Sequence, residues 1–510
     1  MKKNYLELIL KARVYDVAIE SPLEPAVRLS ARLDNHVFYK REDLQPVFSF
    51  KLRGAYNKIS HLTAQAAAAG VVCASAGNHA QGVALAARKR GIAAVVVMPE
   101  TTPQIKVRAV LDLGAEVELC GDDYDAAYER ARTLERERGL TFIHPFDDPL
   151  VIAGQGTIAM EILRQHDENI DAIFVPIGGG GLIGGIAAYV KALYPQIRIV
   201  GVEPEDAASM HASLAAGERV TLERVGIFAD GVAVKRVGEE NFRLAREYVD
   251  EIVLVTTDEI CAAIQDIFED TRSIVEPSGA LAVAGMKQYV GTTGARGRTF
   301  VTLNCGANMN FDRLRYVAER ADLGAAREAL FAVEIPERPG SFLAFCELLG
   351  RRSVTEFNYR YADSSRAHIF VGLSVAPGTA EQGVLAKDIA AAGFKVIDLS
   401  RNEMAKLHLR YMVGGPATGL KHERFFRFEF PERPGALLRF LRGIGATWNI
   451  SLFHYRNHGS DYGRVLAGIE VPPETEAEFM RHLGMLNYRY VEETDNDVAR
   501  VFLGGGSAGS

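Results

Sequence analysis

DAIFVPIGGGGLIGGIAAYVKAL, residues 171–193, is the stretch that decides the fold. An apolar run typical of a buried strand leads into four consecutive glycines, and a helical pattern follows from near Leu182. Glycines let backbone N–H groups converge without Cβ obstruction, and a helix N-terminus favours an anion. The loop does not match GxxxxGK[ST], which argues against a nucleoside triphosphate. We expect a phosphate-binding loop at Gly178, Gly179, Gly180 and Gly181, with a simple flexible turn as the alternative.

The same strand and helix alternation extends from about residue 35 to residue 310. Short β-branched runs alternate with longer Ala-rich stretches of helical period, which predicts parallel strands joined by crossover helices, an α/β fold. Fully apolar runs predict sheets that are covered on both faces. The candidate strands are HVFYK, GVVCAS, AAVVVMP, EVELC, DAIFVPI, IRIVGVE, EIVLVT and RTFVTLN.

Beyond residue 325 the chain contains an internal repeat. FAVEIPERPGSFLAFCELLG begins at Phe331 and FRFEFPERPGALLRFLRGIG begins at Phe426. Each copy reads strand, helix, strand, strand, helix, strand, the order of a ferredoxin-like (βαββαβ) domain. The alternative, a common turn string that occurs twice by chance, is disfavoured because flanking apolar positions also match. We therefore predict one domain over 1–325 and two small domains over 329–405 and 424–503.

The second copy carries further local signals. Phe426, Phe428 and Phe430 alternate with charged residues, as a half-buried strand requires. Pro434 and Gly435 predict a turn into a helix. The segment 410–424 is predicted to link the two copies.

A lysine stands at a predicted helix start in PVFSFKLRGAYNKI, residues 46–59. Lys51 follows Ser49, a plausible N-cap, and is flanked by Phe48 and Phe50. The positive end of a helix dipole and apolar neighbours both disfavour the charged form of an amine. A neutral amine is what Schiff-base chemistry needs, although most lysines are solvated surface residues.

Two more strand ends carry polar or reactive groups. In VVCASAGNHAQGVALAARKRG, residues 71–91, the loop amides could bind a substrate carboxylate, or the loop could merely cap a helix. In RTFVTLNCGANMNF, Cys305 ends a strand, where open α/β sheets place ligands, although a structural buried thiol is the default interpretation. The carboxylate-loop candidates are Ser75, Ala76, Gly77, Asn78 and His79.

Composition excludes several classes of protein. The net charge of −7 argues against binding to a nucleic-acid backbone. No apolar run approaches membrane-spanning length, and none of the five cysteines forms a CxxC pair, so neither a membrane protein nor a metal or disulfide site is expected. A cytoplasmic location is predicted.

These motifs together resemble the fold-type II pyridoxal-phosphate enzymes and, among them, the biosynthetic threonine dehydratases. The matching strings in the first part are SFKLRGAYNKI, SAGNHAQGVA, GGGGLIGG and CGANMNF. The resemblance continues through PERPG, SVTEFNYRY, MAKLHLRYMVGG and NISLFHYR, so it covers essentially the whole chain.

The resemblance implies a role for each motif. Lys51 would hold pyridoxal 5'-phosphate covalently, Asn78 would contact its 3-hydroxyl, the segment Gly178–Leu182 would bind its phosphate, and Cys305 would face its pyridine nitrogen. Ser75 and the amides after it would bind the carboxylate of L-threonine. The product would be 2-oxobutanoate, in the first step of isoleucine biosynthesis. The repeat would be a pair of ACT-like regulatory domains through which isoleucine inhibits the enzyme and valine relieves that inhibition. The enzyme would be a homotetramer.

Two departures and three alternatives remain at this stage. Many relatives have serine in place of Cys305, and racemases of this fold usually have serine where Ala76 stands, which argues against racemisation. The chain could instead be a serine dehydratase or another enzyme of β-elimination or β-replacement. It could also be a nonenzymatic amino-acid sensor. The repeated tail could serve only for oligomerisation.

Overall fold

The computed structural model describes most of the chain: residues 3–166, 168–311, 313–350, 352–361, 364–376, 381–402, 405–406, 409–411, 417, 419–431, 436–444, 447–456, 462–486, 488–496, 499 and 503. Its contacts divide the chain into two compact units, Met1–Gly324 and Ala325–Ser510. None of the described helices is long and apolar enough to cross a membrane. The predicted turn at Pro434 and Gly435 and much of the predicted linker lie outside the described residues.

The strands of the first unit form two sheets. A six-stranded sheet has the order β1-β2-β10-β7-β8-β9, and a four-stranded sheet has the order β5-β4-β3-β6. All the pairings are parallel except that of β1 with β2. The strands are β1 (Leu23–Pro25), β2 (His36–Arg41), β3 (Val71–Ala74), β4 (Ala94–Met98), β5 (Glu116–Leu119), β6 (Thr141–Phe142), β7 (Ala172–Pro176), β8 (Arg198–Pro204), β9 (Glu251–Val255) and β10 (Thr299–Asn304).

Helices cover both faces of these sheets. Ile173 and Val175 of β7 pack into one apolar cluster, whereas Phe174 packs into another on the opposite face, as the two-residue period of a strand dictates. The helices are α1 (Tyr5–Leu10), α2 (Val27–Leu33), α3 (Lys51–Ser60), α4 (Ala64–Ala69), α5 (Asn78–Arg90), α6 (Gln104–Leu111), α7 (Tyr124–Arg138), α8 (Pro149–Gln165), α9 (Gly181–Leu193), α10 (Ser209–Ala216), α11 (Glu239–Tyr248), α12 (Thr257–Thr271), α13 (Pro277–Thr293) and α14 (Arg313–Gly324).

Local sequence explains where several helices begin and end. The Asp148 side chain accepts hydrogen bonds from the backbone of the first turn of α8, and Pro149 occupies the first helical position. Thr256 and Glu259 form a reciprocal capping box at the start of α12. Gly91 ends α5 in the left-handed conformation, which a residue without Cβ adopts without strain.

The second unit contains two copies of the predicted βαββαβ order. The first copy consists of β11 (Glu328–Pro336), α15 (Ser341–Leu349), β12 (Val354–Arg360), β13 (Arg366–Ser374), α16 (Glu381–Ala391) and β14 (Lys395–Asp398). The second consists of β15 (Glu423–Pro431), α17 (Ala436–Ile444), β16 (Asn449–Arg456), β17 (Tyr462–Glu470), α18 (Glu476–Met485) and β18 (Arg489–Glu492). Phe426 and Phe428 are buried and Arg427 is exposed, so the predicted alternation is confirmed there.

The two copies share one antiparallel sheet of order β14-β11-β13-β12-β16-β17-β15-β18. The shared sheet arises because β12 pairs antiparallel with β16, with Asn358 opposite His454. FNYR, residues 357–360, and FHYR, residues 453–456, are matching strings of the repeat, so Asn358 and His454 are equivalent positions that face each other. An approximate two-fold axis therefore passes between them, as in an isologous dimer interface.

Candidate active site

Lys51 is the first residue of α3, and its helix start differs from the prediction. The N-cap position is Phe50, which has no side-chain cap, and not Ser49. The Ser49 backbone instead forms a β-bridge with Gly306, and its buried hydroxyl has no partner in the described part of the chain. The N-cap prediction for Ser49 is therefore wrong, because tertiary pairing uses the backbone that would have preceded the helix.

That pairing brings Lys51 to the end of strand β10. The Phe50 N–H donates to the Cys305 carbonyl over 3.3 Å, and the Ala307 N–H donates to the Phe48 carbonyl over 2.8 Å. The Asn308 side chain donates to the Val47 carbonyl over 2.9 Å. The lysine and cysteine segments, distant in sequence, are thus adjacent.

The Lys51 amine lies in a low-dielectric site. Burial lowers its pKa, and Glu276, Cys305 and Asp230 oppose that shift without reversing it. Its Nζ donates one long hydrogen bond, 3.4 Å, to the carbonyl oxygen of Gly231.

The two aromatic neighbours of Lys51 contribute unequally. Phe50 is buried, but the Phe48 side chain is 57% exposed and has a positive φ of 55°. The expectation that both phenylalanines provide an apolar environment for the amine is therefore wrong for Phe48. Its backbone is left-handed, and its side chain is turned toward solvent.

The helix that carries Lys51 is anchored by a buried ionic cluster, which we call the Arg53 cluster: Arg53, Glu42, Glu161 and Lys40. All four side chains are fully buried. Arg53 bonds to both carboxylates in bidentate fashion, with distances from 2.5 to 3.0 Å, and Lys40 pairs with Glu161 at 2.7 Å. The cluster joins α3 to β2 and α8, so it fixes the helix whose first residue is Lys51.

Asn78 begins α5 and is held from both sides. Its Nδ2 donates to Glu276 Oε1 at 2.6 Å, and its Oδ1 accepts from Asn308 Nδ2 at 2.6 Å. Asn78, Glu276 and Gly306 are in close contact, since a Cβ on Gly306 would approach both side chains within 3.2 Å. Asn78 therefore lies beside the Cys305 strand end and the Lys51 segment.

The preceding loop does not act as a simple side-chain cap. Ser75, Ala76 and Gly77 are partly buried, and the Gly77 N–H donates to Ser75 Oγ at 3.2 Å. Gly77 is the N-cap residue of α5, and no side chain caps this helix. His79 is buried with its Nε2 2.9 Å from the Ile143 carbonyl, and burial lowers its pKa to about 3. Its ring is therefore neutral and already partnered.

The glycine loop connects β7 to α9 and is closely packed. A Cβ on Gly179 would lie 2.2 Å from the Phe146 ring, and one on Gly178 would lie 2.9 Å from Val232 Cα. Gly180 has a φ of +93°, which favours glycine. Val232 directly follows Gly231, the residue that contacts Lys51, so the loop belongs to the same site. The flexible-turn alternative does not fit this packing.

Cys305 is buried, and its Sγ donates to the Ser278 carbonyl at 3.3 Å. Burial raises the pKa of the thiol, so it stays neutral. Ser278 Oγ is buried without a partner among the described residues. A lysine with a lowered pKa, a glycine loop at a helix N-terminus and an unsatisfied hydroxyl fit an aldehyde cofactor that carries a phosphate group.

Three residues of this site were missed from the sequence. Glu276 precedes Pro277 at the start of α13, and burial, followed by Asp230, raises the pKa of Glu276 to about 7. Asp230 pairs with Lys106 at 2.8 Å, and Asn308 bonds Asn78. The Glu-Pro pair was a readable helix-start signal, but Asp230 begins a short 3-10 helix, Asn308 stands in a loop, and neither position carries a sequence pattern.

Comparison with known protein families agrees with this geometry. Residues 14–306 match the family of pyridoxal-phosphate dependent enzymes. Residues 319–409 and 414–503 each match the C-terminal regulatory domain of threonine dehydratase. The chain belongs to the pyridoxal-phosphate-dependent enzymes of the threonine dehydratase family. The predicted family, its fold class and its cofactor are thereby confirmed.

Individual relatives in this family are similar over their full length. The biosynthetic L-threonine dehydratase IlvA of Burkholderia multivorans is 60% identical, with 98% of this chain and 99% of that protein covered. IlvA of Escherichia coli is 54% identical, with 98% and 97% covered. The solved structure of processed threonine deaminase isoform 2 from Solanum lycopersicum is 52% identical over 62% of this chain and 88% of that one, with a TM-score of 0.62.

Proposed function

We propose that this enzyme removes water and ammonia from L-threonine to give 2-oxobutanoate, the first step of isoleucine biosynthesis. The observation that carries the proposal is Lys51, a partly buried residue with a lowered pKa that lies beside the Cys305 strand end and the Gly231 carbonyl. The printed names of the full-length relatives support the choice of threonine. We assign catalysis to 1–325 and regulation to 329–405 and 424–503.

Each site residue has a proposed task. Pyridoxal phosphate, when bound, supplies an electron sink for the charge that develops at the substrate Cα. Lys51 would hold this cofactor and would accept the Cα proton on Nζ, because burial lowers the pKa of the amine and so favours its unprotonated form. The backbone N–H groups of Gly178–Leu182 bind the cofactor phosphate, and the 75–79 loop binds the substrate carboxylate.

Cys305 is proposed to favour elimination over transamination. Its thiol stays neutral because burial raises its pKa, so beside the pyridine nitrogen it is a weak partner, unlike a carboxylate. Replacement by Asp should increase side reactions relative to elimination. Unchanged partitioning in Cys305→Asp would refute this role.

A visible spectrum before and after borohydride reduction tests the cofactor attachment. We expect an absorption band of the lysine-bound cofactor, loss of that band on reduction, and a single modified peptide that contains Lys51. Modification of another lysine would overturn the assignment. A purified protein without such a band would instead favour the nonenzymatic sensor.

Comparison of kcat/KM for threonine and serine tests the substrate. The extra methyl group of threonine is worth only about 1 to 3 kcal/mol in a pocket, so some serine turnover is expected. A higher kcat/KM for serine would favour the serine dehydratase alternative.

We further propose that the tail binds isoleucine as an inhibitor and valine as an agent that relieves inhibition, in a cytoplasmic homotetramer. Support comes from the two matches to a regulatory domain. An effector acts at a distance only by differing in affinity for two global states. Threonine saturation curves with isoleucine, and then with added valine, test regulation, and sedimentation tests the tetramer. Curves that neither ligand changes would leave oligomerisation as the role of the tail.

A further inference from the structure

A directed chain of hydrogen bonds runs through the Asn78 side chain. Asn308 Nδ2 donates to the Val47 carbonyl at 2.9 Å and to Asn78 Oδ1 at 2.6 Å. Asn78 Nδ2 then donates to Glu276 Oε1 at 2.6 Å. The chain thus begins at a backbone carbonyl and ends at a carboxylate, two groups that only accept.

The two ends of this chain determine the orientation of each amide. If the Asn308 amide were reversed, its oxygen would face the Val47 carbonyl oxygen. If the Asn78 amide were reversed, its oxygen would face the Glu276 carboxylate and its NH₂ would face the NH₂ of Asn308. Each reversal replaces hydrogen bonds with like-charge contacts between buried groups, which is strongly unfavourable.

We propose that Glu276 and Asn308 are positioning residues that fix the Asn78 amide in one orientation, so that its second N–H remains the donor for the ring oxygen of bound pyridoxal phosphate. This inference rests on the proposed function, which assigns Asn78 to that oxygen. It adds that the donor character of Asn78 is set by two residues that do not themselves contact the cofactor.

The charge on Glu276 makes the orientation of the Asn78 amide dependent on pH. Burial and Asp230 raise the pKa of Glu276 to about 7, whereas the Asn78 bond, Lys51 and Lys106 lower it. Cys305 also faces Glu276, but its thiol is neutral. Below about pH 7 Glu276 is protonated, and a carboxylic acid can donate as well as accept, so the orientation of Asn78 is less strictly held.

The decisive variant is Asn308→Asp, which puts an acceptor where Asn78 Oδ1 needs a donor. Apoenzyme is titrated with pyridoxal phosphate, and the absorption band of the loaded enzyme is followed from pH 6 to 8. We expect the Kd to rise about tenfold and the band to shift, since the amide–amide hydrogen bond between Asn308 and Asn78 becomes a repulsive contact between two acceptors. Asn308→Ala, which only removes the donor, should raise the Kd about threefold and serves if the Asp variant does not fold.

Glu276→Gln separates charge from orientation. Glutamine still offers an oxygen to Asn78 Nδ2, so the Kd should rise less than about threefold, while the pH dependence of the band disappears. Glu203→Gln is the matched control, because Glu203 is also buried with a pKa raised to about 7 but, in the described part of the chain, accepts hydrogen bonds from the Met210 and His211 backbone alone. Its band and Kd should match those of the wild type.

Wild-type affinity and an unchanged band in folded Asn308→Asp or Asn308→Ala would overturn the inference. Equal changes in Glu203→Gln and Glu276→Gln would also overturn it, because they would show a general effect of buried charge. Failure of wild-type apoenzyme to bind pyridoxal phosphate would instead overturn the proposed function together with this inference.

Discussion

Helix α3 carries two basic side chains, two residues apart, whose surroundings differ: Arg53 is fully buried and Lys51 is partly buried. Arg53 is enclosed by the Glu42 and Glu161 carboxylates, whereas Lys51 has one 3.4 Å bond to the neutral Gly231 carbonyl. Burial lowers the pKa of both, but the two carboxylates reverse the shift for Arg53, while Lys51 keeps a lowered pKa. One helix therefore holds a permanently charged guanidinium that anchors it and an amine whose pKa is lowered, and the neighbouring groups account for the difference.

Lys51→Met gives the largest expected effect, and it is on activity. Turnover of threonine should fall by about 10,000-fold, because both cofactor attachment and the base are lost. The free energy of unfolding of the apoenzyme should change by less than about 1 kcal/mol, because the structure gives Lys51 no ion pair among the described residues. A large loss of stability would show that Lys51 is anchored as Arg53 is.

Arg53→Met makes the same replacement as Lys51→Met, two residues later in α3, and should lower the free energy of unfolding. It leaves Glu42 and Glu161 buried with too few cations, and we expect a loss of about 3 to 5 kcal/mol in the free energy of unfolding. Arg53→Lys should lose less, because it keeps the charge but not the bidentate bonds. Urea denaturation measures both. A loss below about 1 kcal/mol in Arg53→Met would contradict the anchoring role.

The Lys51 site contains Glu276 and the Arg53 cluster contains Glu161, and these two carboxyl groups should affect stability with opposite pH dependence. The folded pKa of Glu276, about 7, lies above its ordinary value of 4.5, so its contribution to stability is fully present below pH 4.5 and lost as pH rises through 7. Burial raises the pKa of Glu161, but Arg53 and Lys40 outweigh burial and lower it, so its contribution is lost as pH falls below 4.5.

Urea denaturation of Glu276→Gln at pH 5 and pH 8 checks this sign. The wild type should lose on the order of 2 to 3 kcal/mol between these values from Glu276, and the variant should not. An equal loss in the variant would assign the pH dependence to other groups.

Cys305→Ser should have the smallest effect. The hydroxyl is neutral, as the buried thiol is, and can also donate to the Ser278 carbonyl, so kcat should change less than about tenfold. Steady-state kinetics over pH measure this, and an ionisation that is present in the wild-type profile but absent from that of Cys305→Ser would show that the thiol titrates.

Local patterns predicted most of the framework of the first unit. All eight candidate strands are strands, and most of them are apolar runs buried in a sheet. The clearest exception is β5 (Glu116–Leu119), an edge strand that is only partly buried. The sequence did not indicate β1 (Leu23–Pro25) or β6 (Thr141–Phe142), because strands of two or three residues carry no periodicity. The division of the ten strands of the first unit into a six-stranded and a four-stranded sheet depends on tertiary packing, which a local sequence pattern does not contain.

The site shows the same division between local and tertiary information. A lysine at a helix start, four glycines between a strand and a helix, and a cysteine at a strand end are unusual in those positions. Lys51, the glycine loop and Cys305 could therefore be chosen as candidate site residues from the sequence. The roles of Glu276 and Asn308 arise only when α13 and the β10 loop meet Asn78. Ser49 was misassigned because its partner, Gly306, is far away in sequence.

The edge-to-edge pairing of β12 with β16 has a consequence for how this tail could evolve. A dimer of identical chains must present every surface twice, whereas a duplicated and fused pair can let its halves diverge while remaining joined at any protein concentration. They have diverged here: Glu356, buried against Arg410 at 2.9 Å, has the apolar Leu452 as its counterpart across the axis. Covalent fusion thus allows the two halves to present different surfaces at equivalent positions.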